Sequence, residues 1–219
     1  ILKSHSVLLP KFSSKYFLEN VKNLRTHNIG EALQIMYKEL QKLGYYVTDK
    51  VLNTMEYGNI PQNRERIYIV GFLDQKAFNS FSFPEKIRLT KTIHDCLEPD
   101  VDDKYYYNGK PLYKKLKREV TKKDTVYQWR RKYVRENKNG VCPTLTANMG
   151  MGGHNVPLVL NAKGIRKLTP RECANFQGFP KSFKLPKIAD SSLYKQLGNS
   201  VSITVVERIA VKIKNALNY

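Results

Sequence analysis

The sequence predicts an α/β protein that carries a second, smaller and less regular region. Three observations predict it. Short apolar strand patterns alternate with a helical stripe between Tyr16 and Phe72, the chain turns basic and aromatic from about Phe83, and a final amphipathic helix offers a face suited to docking on the α/β layer. With 219 residues and 41% hydrophobic content, the chain is long enough for one large domain or two small ones with an ordinary core.

The elements follow in order. Ile1 to Lys15 is a mixed apolar and basic lead-in that reads as the end of a helix. The first residue is not methionine, so the sequence reads as beginning inside a longer polypeptide. Tyr16-Phe17-Leu18 is a short buried strand running into Glu19-Asn20-Val21. A carboxylate at the carboxyl end of such a strand lies where open sheets place ligands, and it also fits a loop acid paired with a lysine. Asn28, three residues before Glu31, forms a capping-box pattern for a helix ending near Leu43, with Gly44 as its stop. Leu33, Met36, Leu40 and Leu43, widened by Ala32 and Ile35, make its apolar stripe. Tyr45 to Leu52 alternates as a strand, and Tyr57 to Pro61 is turn chemistry.

Ile67 to Phe72 is a continuous apolar run, as in a strand buried on both faces, and its approach carries Gln62, Arg64 and Arg66 at period two. On one strand these three would share a side. Two readings stand for them: a solvated strand entrance, or a bidentate grip on phosphates or base edges. The short connection predicts that the last two strands pair antiparallel.

Thirty-eight Lys and Arg against nineteen Asp and Glu leave a net charge of +19, which favours a polyanionic partner, nucleic acid above all. No long apolar run or basic amphipathic helix supports a membrane surface instead, and no signal peptide is visible, so a soluble intracellular protein is expected. Cys96, Cys142 and Cys173 are odd in number and widely spaced, which fits a reducing compartment and neither a disulfide framework nor a zinc site. Between Lys104 and Gly140, thirteen basic residues face three acids and are interleaved with Tyr105, Tyr106, Tyr107, Tyr113, Tyr127, Trp129 and Tyr133. Charge combined with aromatic faces predicts backbone tracking and base stacking here.

Val141 to Pro157 is rich in glycine and small polar residues, but Gly150, Gly152 and Gly153 do not follow a strand, which argues against a dinucleotide loop. They would let backbone approach a groove closely, and His154 reads as a hydrogen-bonded structural residue. Thr169-Pro170-Arg171-Glu172 supplies an N-cap, a first-turn proline and an N3 glutamate for a helix to about Gln177. Gly198-Asn199-Ser200 reads as a turn before the last helix, whose stripe is Ile203, Val206, Ala210, Ile213 and Leu217. Asn199 and Ser200 would then stand at a helix entrance, either as ordinary caps or beside amides that favour an anion.

Four blocks resemble, in order and spacing, the later signature motifs of the C5-cytosine DNA methyltransferase family: FLENV at 17–21, PQNRERIYIVGF at 61–72, RKLTPRECANFQGFP at 166–180 and YKQLGNSV at 194–201. The resemblance brackets nearly the whole chain. It implies part of a Rossmann-like S-adenosylmethionine-dependent domain over 1–82, a smaller, irregular, β-rich target-recognition domain over 83–193, and a returning helix over 194–219. It implies transfer of a methyl group from S-adenosylmethionine to carbon 5 of a cytosine flipped out of double-stranded DNA. Glu19 would be the acid at the ring nitrogen N3, a role that requires a raised pKa, Arg66 would bond the base's O2, and Arg64 would brace the catalytic loop and the DNA backbone. Asn199 and Ser200 would close the cofactor site, and Arg171 with Glu172 would fix the recognition region to the core. Target DNA would be contacted by Gln62, Arg130, Arg131, Arg135, the Thr144-Leu145 pair, and Gly152 and Gly153.

The family's glycine-rich cofactor motif and its Pro-Cys nucleophile loop are both missing from this sequence, and no cysteine follows a proline. The chain alone is therefore expected to be inactive and to need an N-terminal half, carried on the same polypeptide or on a partner subunit. The setting implied is a bacterial restriction-modification system, cytoplasmic and associated with the nucleoid through DNA. The alternatives are a non-catalytic recognition subunit of a split enzyme and a tRNA cytosine-5 methyltransferase.

Overall fold

The computed structural model describes residues 13–26, 30–137 and 139–218. The chain divides into two compact units. One comprises Ile1–Leu52, Glu65–Pro84 and Ile209–Tyr219, and the other Asn53–Arg64 and Glu85–Arg208.

In the first unit, β1 (Lys15–Val21), α1 (Glu31–Lys42), β2 (Tyr46–Asn53) and β4 (Glu65–Phe72) form a three-stranded sheet in the order β1-β4-β2 with one covering helix. β4 runs antiparallel to β1, pairing Glu19 with Tyr68 and Val21 with Arg66. Its apolar run makes it the central strand, with Ile67 to Val70 and Phe72 almost wholly buried. Period two divides the side chains between the two faces. Tyr16, Ile67 and Ile69 pack with Leu33 and Leu40 of α1, and Gly71 stays small because a Cβ there would meet the Tyr16 ring at 2.1 Å.

Several details differ from the sequence expectation. Glu19 lies inside a seven-residue edge strand rather than beyond a short buried one. The expected cap at Asn28 falls outside the described residues; the N-cap of α1 is Gly30, at φ +81°. Ile35 and Leu43 are more than half exposed, so the stripe of α1 is narrower, centred on Leu33 and Leu40.

In the second unit, α2 (Thr54–Tyr57) leads to β3 (Gln62–Asn63), which pairs in parallel with β7 (Cys142–Pro143). β5 (Tyr127–Trp129), β6 (Val134–Glu136), β8 (Val156–Leu160) and β9 (Ile165–Lys167) make a four-stranded antiparallel sheet in the order β6-β5-β8-β9. The helices are α4 (Tyr113–Glu119), α5 (Pro170–Phe176) and α6 (Asp190–Asn199), while the short α3 (Gln75–Ser80) belongs to the first unit. The expected capping box of α5 is present: Glu172 N donates to Thr169 Oγ1 at 3.1 Å and Thr169 N donates to Glu172 Oε2 at 2.8 Å. Gly198 and Asn199 close α6 instead of forming a free turn. A glycine is tolerated inside that helix because a Cβ on Gly198 would lie 2.2 Å from the Thr146 carbonyl carbon.

The final helix, α7 (Ile203–Leu217), buries Val205, Ile209, Ile213 and Ala216. The expected stripe is thus turned by about one residue, with only Ile213 shared. Ala210 and Leu217, with Ile213, Tyr16 and Phe17, instead line an open groove of about 490 Å³ in the first unit.

Most of the aromatic residues in the basic stretch are structural. Tyr105, Tyr106, Tyr127 and Trp129 are under 8% exposed and belong to the two cores of the second unit. Lysines lie over their faces instead: Lys115 over Trp129 at 5.1 Å, Lys163 over Tyr106 at 5.1 Å and Lys104 over Tyr105 at 4.9 Å. Tyr133, 55% exposed, is the aromatic among the seven that remains open for stacking. Interleaved charge and rings here build a core with a basic coat.

Candidate active site and nucleic-acid interface

On the β1–β4 face opposite α1, the Arg66 Nε lies 3.1 Å from Glu19 Oε1. The two residues are diagonal neighbours across the antiparallel pair, the same offset that stacks Phe17 on Tyr68 at 5.9 Å. Both side chains are mostly shielded, at 13% and 19% exposure, so their charges act through a poorer dielectric than water. Burial pushes the Arg66 guanidinium down from its ordinary value, and the Glu19 carboxylate pulls it back up. Arg66 also donates from Nη1 to the Glu65 carbonyl at 2.8 Å, which orients the fork. A fixed donor fork beside a shielded carboxylate can hold an acceptor oxygen and an adjacent ring nitrogen of one planar ligand.

Gln62 and Arg64 do not join that face. β3 ends at Asn63 and β4 begins at Glu65, so the three residues do not lie on one continuous strand and period two does not carry across them. Gln62 is fully buried, with its Nε2 donating to the Phe176 carbonyl at 2.6 Å. Arg64 is 2% exposed; Nη1 donates to the Leu145 carbonyl at 3.0 Å and Nη2 to the Ser200 carbonyl at 2.6 Å. Gln62 was expected at DNA, and Arg64 at the catalytic loop and the DNA backbone; here both are buried and donate to this chain's own backbone carbonyls. Leu145 is likewise a core residue at 1% exposure, while Thr144 donates its hydroxyl to the Asn63 carbonyl at 2.8 Å.

Arg171 and Glu172, expected together to fix the recognition region to the core, have different partners. Glu172 receives a bidentate pair from Arg166, at 2.7 Å to each oxygen, and both side chains are essentially inaccessible. Arg171 is half-buried, with one guanidinium nitrogen 3.5 Å from the Pro180 carbonyl and the other shielded from solvent. Helical geometry accounts for the difference, because adjacent residues point about 100° apart and so face different surroundings.

Arg130, Arg131 and Arg135 lie in or beside the β5–β6 hairpin, whose turn closes with Arg130 N donating to the Tyr133 carbonyl at 2.9 Å. Arg131 takes φ +61° at its tip and is exposed, as are Lys132, Tyr133 and Arg135. Gly152 and Gly153 would meet nothing within 4 Å on gaining a Cβ, so that loop presents bare backbone, with Met151 beside it 75% exposed. His154, read as hydrogen-bonded, has a buried Nδ1 with no protein partner among the described residues.

At the end of α6, Asn199 is exposed, and its amide offers donors and an acceptor that suit a cofactor's polar groups. Ser200 suits them less: its hydroxyl donates to the Leu197 carbonyl at 2.7 Å, and its own carbonyl accepts from Arg64. The expected free amide at the entrance of α7 is taken too, since Ile203 N donates to the Gln177 carbonyl at 2.9 Å.

The three cysteines are buried and free. Burial pushes the Cys96 thiol up to about 12 and raises Cys142 and Cys173 well above their ordinary value, so none is an available thiolate nucleophile. Native protein is expected to take up no iodoacetamide at pH 8 over a period in which all three thiols react in guanidinium chloride. Stoichiometric labelling of one thiol in the native state, read by intact mass, would contradict this.

The family profile for C-5 cytosine-specific DNA methylase matches residues 7–215. The chain belongs to that family. The chain is 52% identical to the Type II methyltransferase M.Bsp6I of Bacillus sp. (strain RFL6), over 96% of its own length and 68% of that protein. It is 36% identical to M.NlaX of Neisseria lactamica, over 97% and 66%, and 39% identical to M.DsaV of Dactylococcopsis salina, over 90% and 55%. It therefore spans between about half and two thirds of the length of these relatives. Among solved structures, an Entamoeba histolytica methyltransferase superposes with a TM-score of 0.71 at 20% identity, over 93% of this chain and 63% of that one. S. pombe Dnmt2 gives 0.68 at 19%, over 94% and 68%. At these identities the superpositions speak for a shared mixed α/β fold. No described helix of the chain is long and apolar enough to cross a membrane, and no group of metal-ligating side chains is found among the described residues.

Proposed function

We propose that this chain is the larger, C-terminal share of a DNA (cytosine-5) methyltransferase of a bacterial restriction-modification system. It would act on a cytosine flipped out of duplex DNA, with S-adenosylmethionine supplying the methyl group. The observation that carries the reading is the Glu19–Arg66 pair: two residues from separate motifs meet on one shielded sheet face with the donor and acid that a cytosine's O2 and N3 call for. Glu19 would hold the proton at N3 and Arg66 would bind O2. Arg131, Arg135, Tyr133 and the bare glycine loop would contact DNA, with phosphate contacts setting register and groove contacts reading bases. Asn199 would contribute to the cofactor site. The nucleophile would come from the length by which the relatives exceed this chain. The edge position of β1 and the apolar groove beside it fit that completion, because an edge strand and exposed apolar surface both favour a further partner.

The test is to supply the chain with the part of the Bacillus relative that it does not cover, add labelled S-adenosylmethionine and duplex DNA, and digest the product to nucleosides. The label is expected in 5-methylcytosine with the two parts together and nowhere with this chain alone. Label in tRNA but not in duplex DNA would overturn the substrate assignment, and robust transfer by the chain alone would overturn the division of labour.

A further inference from the structure

We propose that Arg64 is a positioning residue that couples target recognition to cofactor binding, by tying the recognition segment Thr144–Gly150 to the Gly198–Ser200 turn. The inference rests on the methyltransferase reading above and adds to it a residue-level linkage between its two binding functions.

Three independent contacts join these segments, all within the second unit. The two terminal nitrogens of the Arg64 guanidinium donate to carbonyls on opposite sides, Leu145 at 3.0 Å and Ser200 at 2.6 Å. Because the guanidinium is planar and rigid, one side chain sets the spacing between these two stretches of backbone. The last turn of α6 then lies directly on the recognition segment: a Cβ on Gly198 would come within 2.2 Å of the Thr146 carbonyl carbon and 2.3 Å of the Ala147 nitrogen. Four residues along, a Cβ on Gly150 would stand 2.6 Å from the Tyr194 Cβ, on the same helix. One glycine within α6, a second facing it from the segment, and one buried fork pack the segment closely against the end of that helix.

The recognition segment also enters from the strand that precedes Arg64. Cys142 N donates to the Pro61 carbonyl at 2.6 Å, β3 and β7 pair in parallel, and the Thr144 hydroxyl donates to the Asn63 carbonyl. A DNA contact that shifts residues 144–150 must therefore carry Ser200 with it or break a buried, charge-assisted hydrogen bond. The same holds in reverse for a cofactor held at Asn199. Linkage requires that the two effects be equal.

The experiment uses the complete enzyme, this chain with the segment its relatives carry, and measures S-adenosylhomocysteine affinity with and without a duplex that the enzyme methylates. The reciprocal measurement is duplex affinity with and without S-adenosylhomocysteine. In the wild type each ligand is expected to tighten the other by the same factor, on the order of tenfold. In Arg64→Lys, whose single ammonium cannot span both carbonyls, both factors are expected to fall to within about twofold of one, while each ligand alone still binds. Tenfold coupling that survives in Arg64→Lys overturns the proposal, as does a wild type that methylates DNA with no coupling. If Arg64→Lys does not fold, Thr144→Val loosens the same segment at a partly exposed position. It is expected to lower the coupling factor by at least about twofold, and an unchanged factor there also overturns the proposal. A wild type that methylates no duplex at all marks the failure of the underlying functional reading instead.

Discussion

Glu172→Ala is expected to destabilise the second unit by about 3–5 kcal/mol, lowering its thermal midpoint by roughly 10 °C, because it strands a fully buried guanidinium. The carboxylate of Glu172 accepts four hydrogen bonds: two from Arg166, one from Thr169 N and one from Glu98 N at 2.8 Å. One side chain thus closes the cap of α5, anchors β9 through Arg166 and holds the backbone at residue 98. Removing it leaves a cation and two amides without their acceptor in a place water does not reach. The double change Arg166→Met with Glu172→Leu is expected to cost less than Glu172→Ala alone, since no unpaired charge remains. Denaturant unfolding of the three proteins gives the comparison. A double variant at least as unstable as the single one would mean that the pair acts through more than mutual neutralisation. Arg171→Ala, at a half-buried position where one guanidinium nitrogen reaches the Pro180 carbonyl only at 3.5 Å, is expected to cost less than Glu172→Ala.

In the completed enzyme, Glu19→Gln is expected to lower kcat by a factor of about 10²–10⁴ while duplex affinity stays within a few-fold. Glutamine keeps the size of the side chain and can still accept from Arg66, but it cannot pass a proton to a ring nitrogen. The loss should therefore fall on turnover and not on binding. Methyl transfer under single-turnover conditions, with duplex affinity measured in parallel, separates the two. Unchanged transfer would favour the non-catalytic recognition subunit. A loss of DNA binding equal to the loss of rate would mean that Glu19 serves structure.

Much of the site was legible because its parts are local. Glu19 and Arg66 each sit in a short motif on a strand, and a two-stranded register brings them together with no long-range information beyond the pairing itself. The capping box at Thr169 and Glu172 was legible for the same reason, since its geometry is confined to one turn. Gln62 and Arg64 misled because alternation implies a shared face only along an unbroken strand. The chain changes course between Asn63 and Glu65, and polar side chains that look solvated in sequence are buried against carbonyls 81 to 136 residues away. The tyrosines between Lys104 and Gly140 misled through composition: aromatic rings interleaved with lysines describe a stacking surface and a lysine-coated core equally well, and only burial separates the two.

Sequence by itself determined the α/β class, the family, the acid and arginine of the candidate site, and the absence of a prolyl-cysteine loop from these 219 residues. All of these are written in contiguous residues and in their spacing. The tertiary structure alone decided that Glu172 belongs to Arg166, that Gly198 is a helix residue pressed on the backbone of Thr146 and Ala147, and that Arg64 is an internal brace. The physical reason is common to all three. A buried polar group takes whichever partner the packing of distant segments brings to it, and a glycine's role depends on what lies where its Cβ would be, neither of which the neighbouring residues specify.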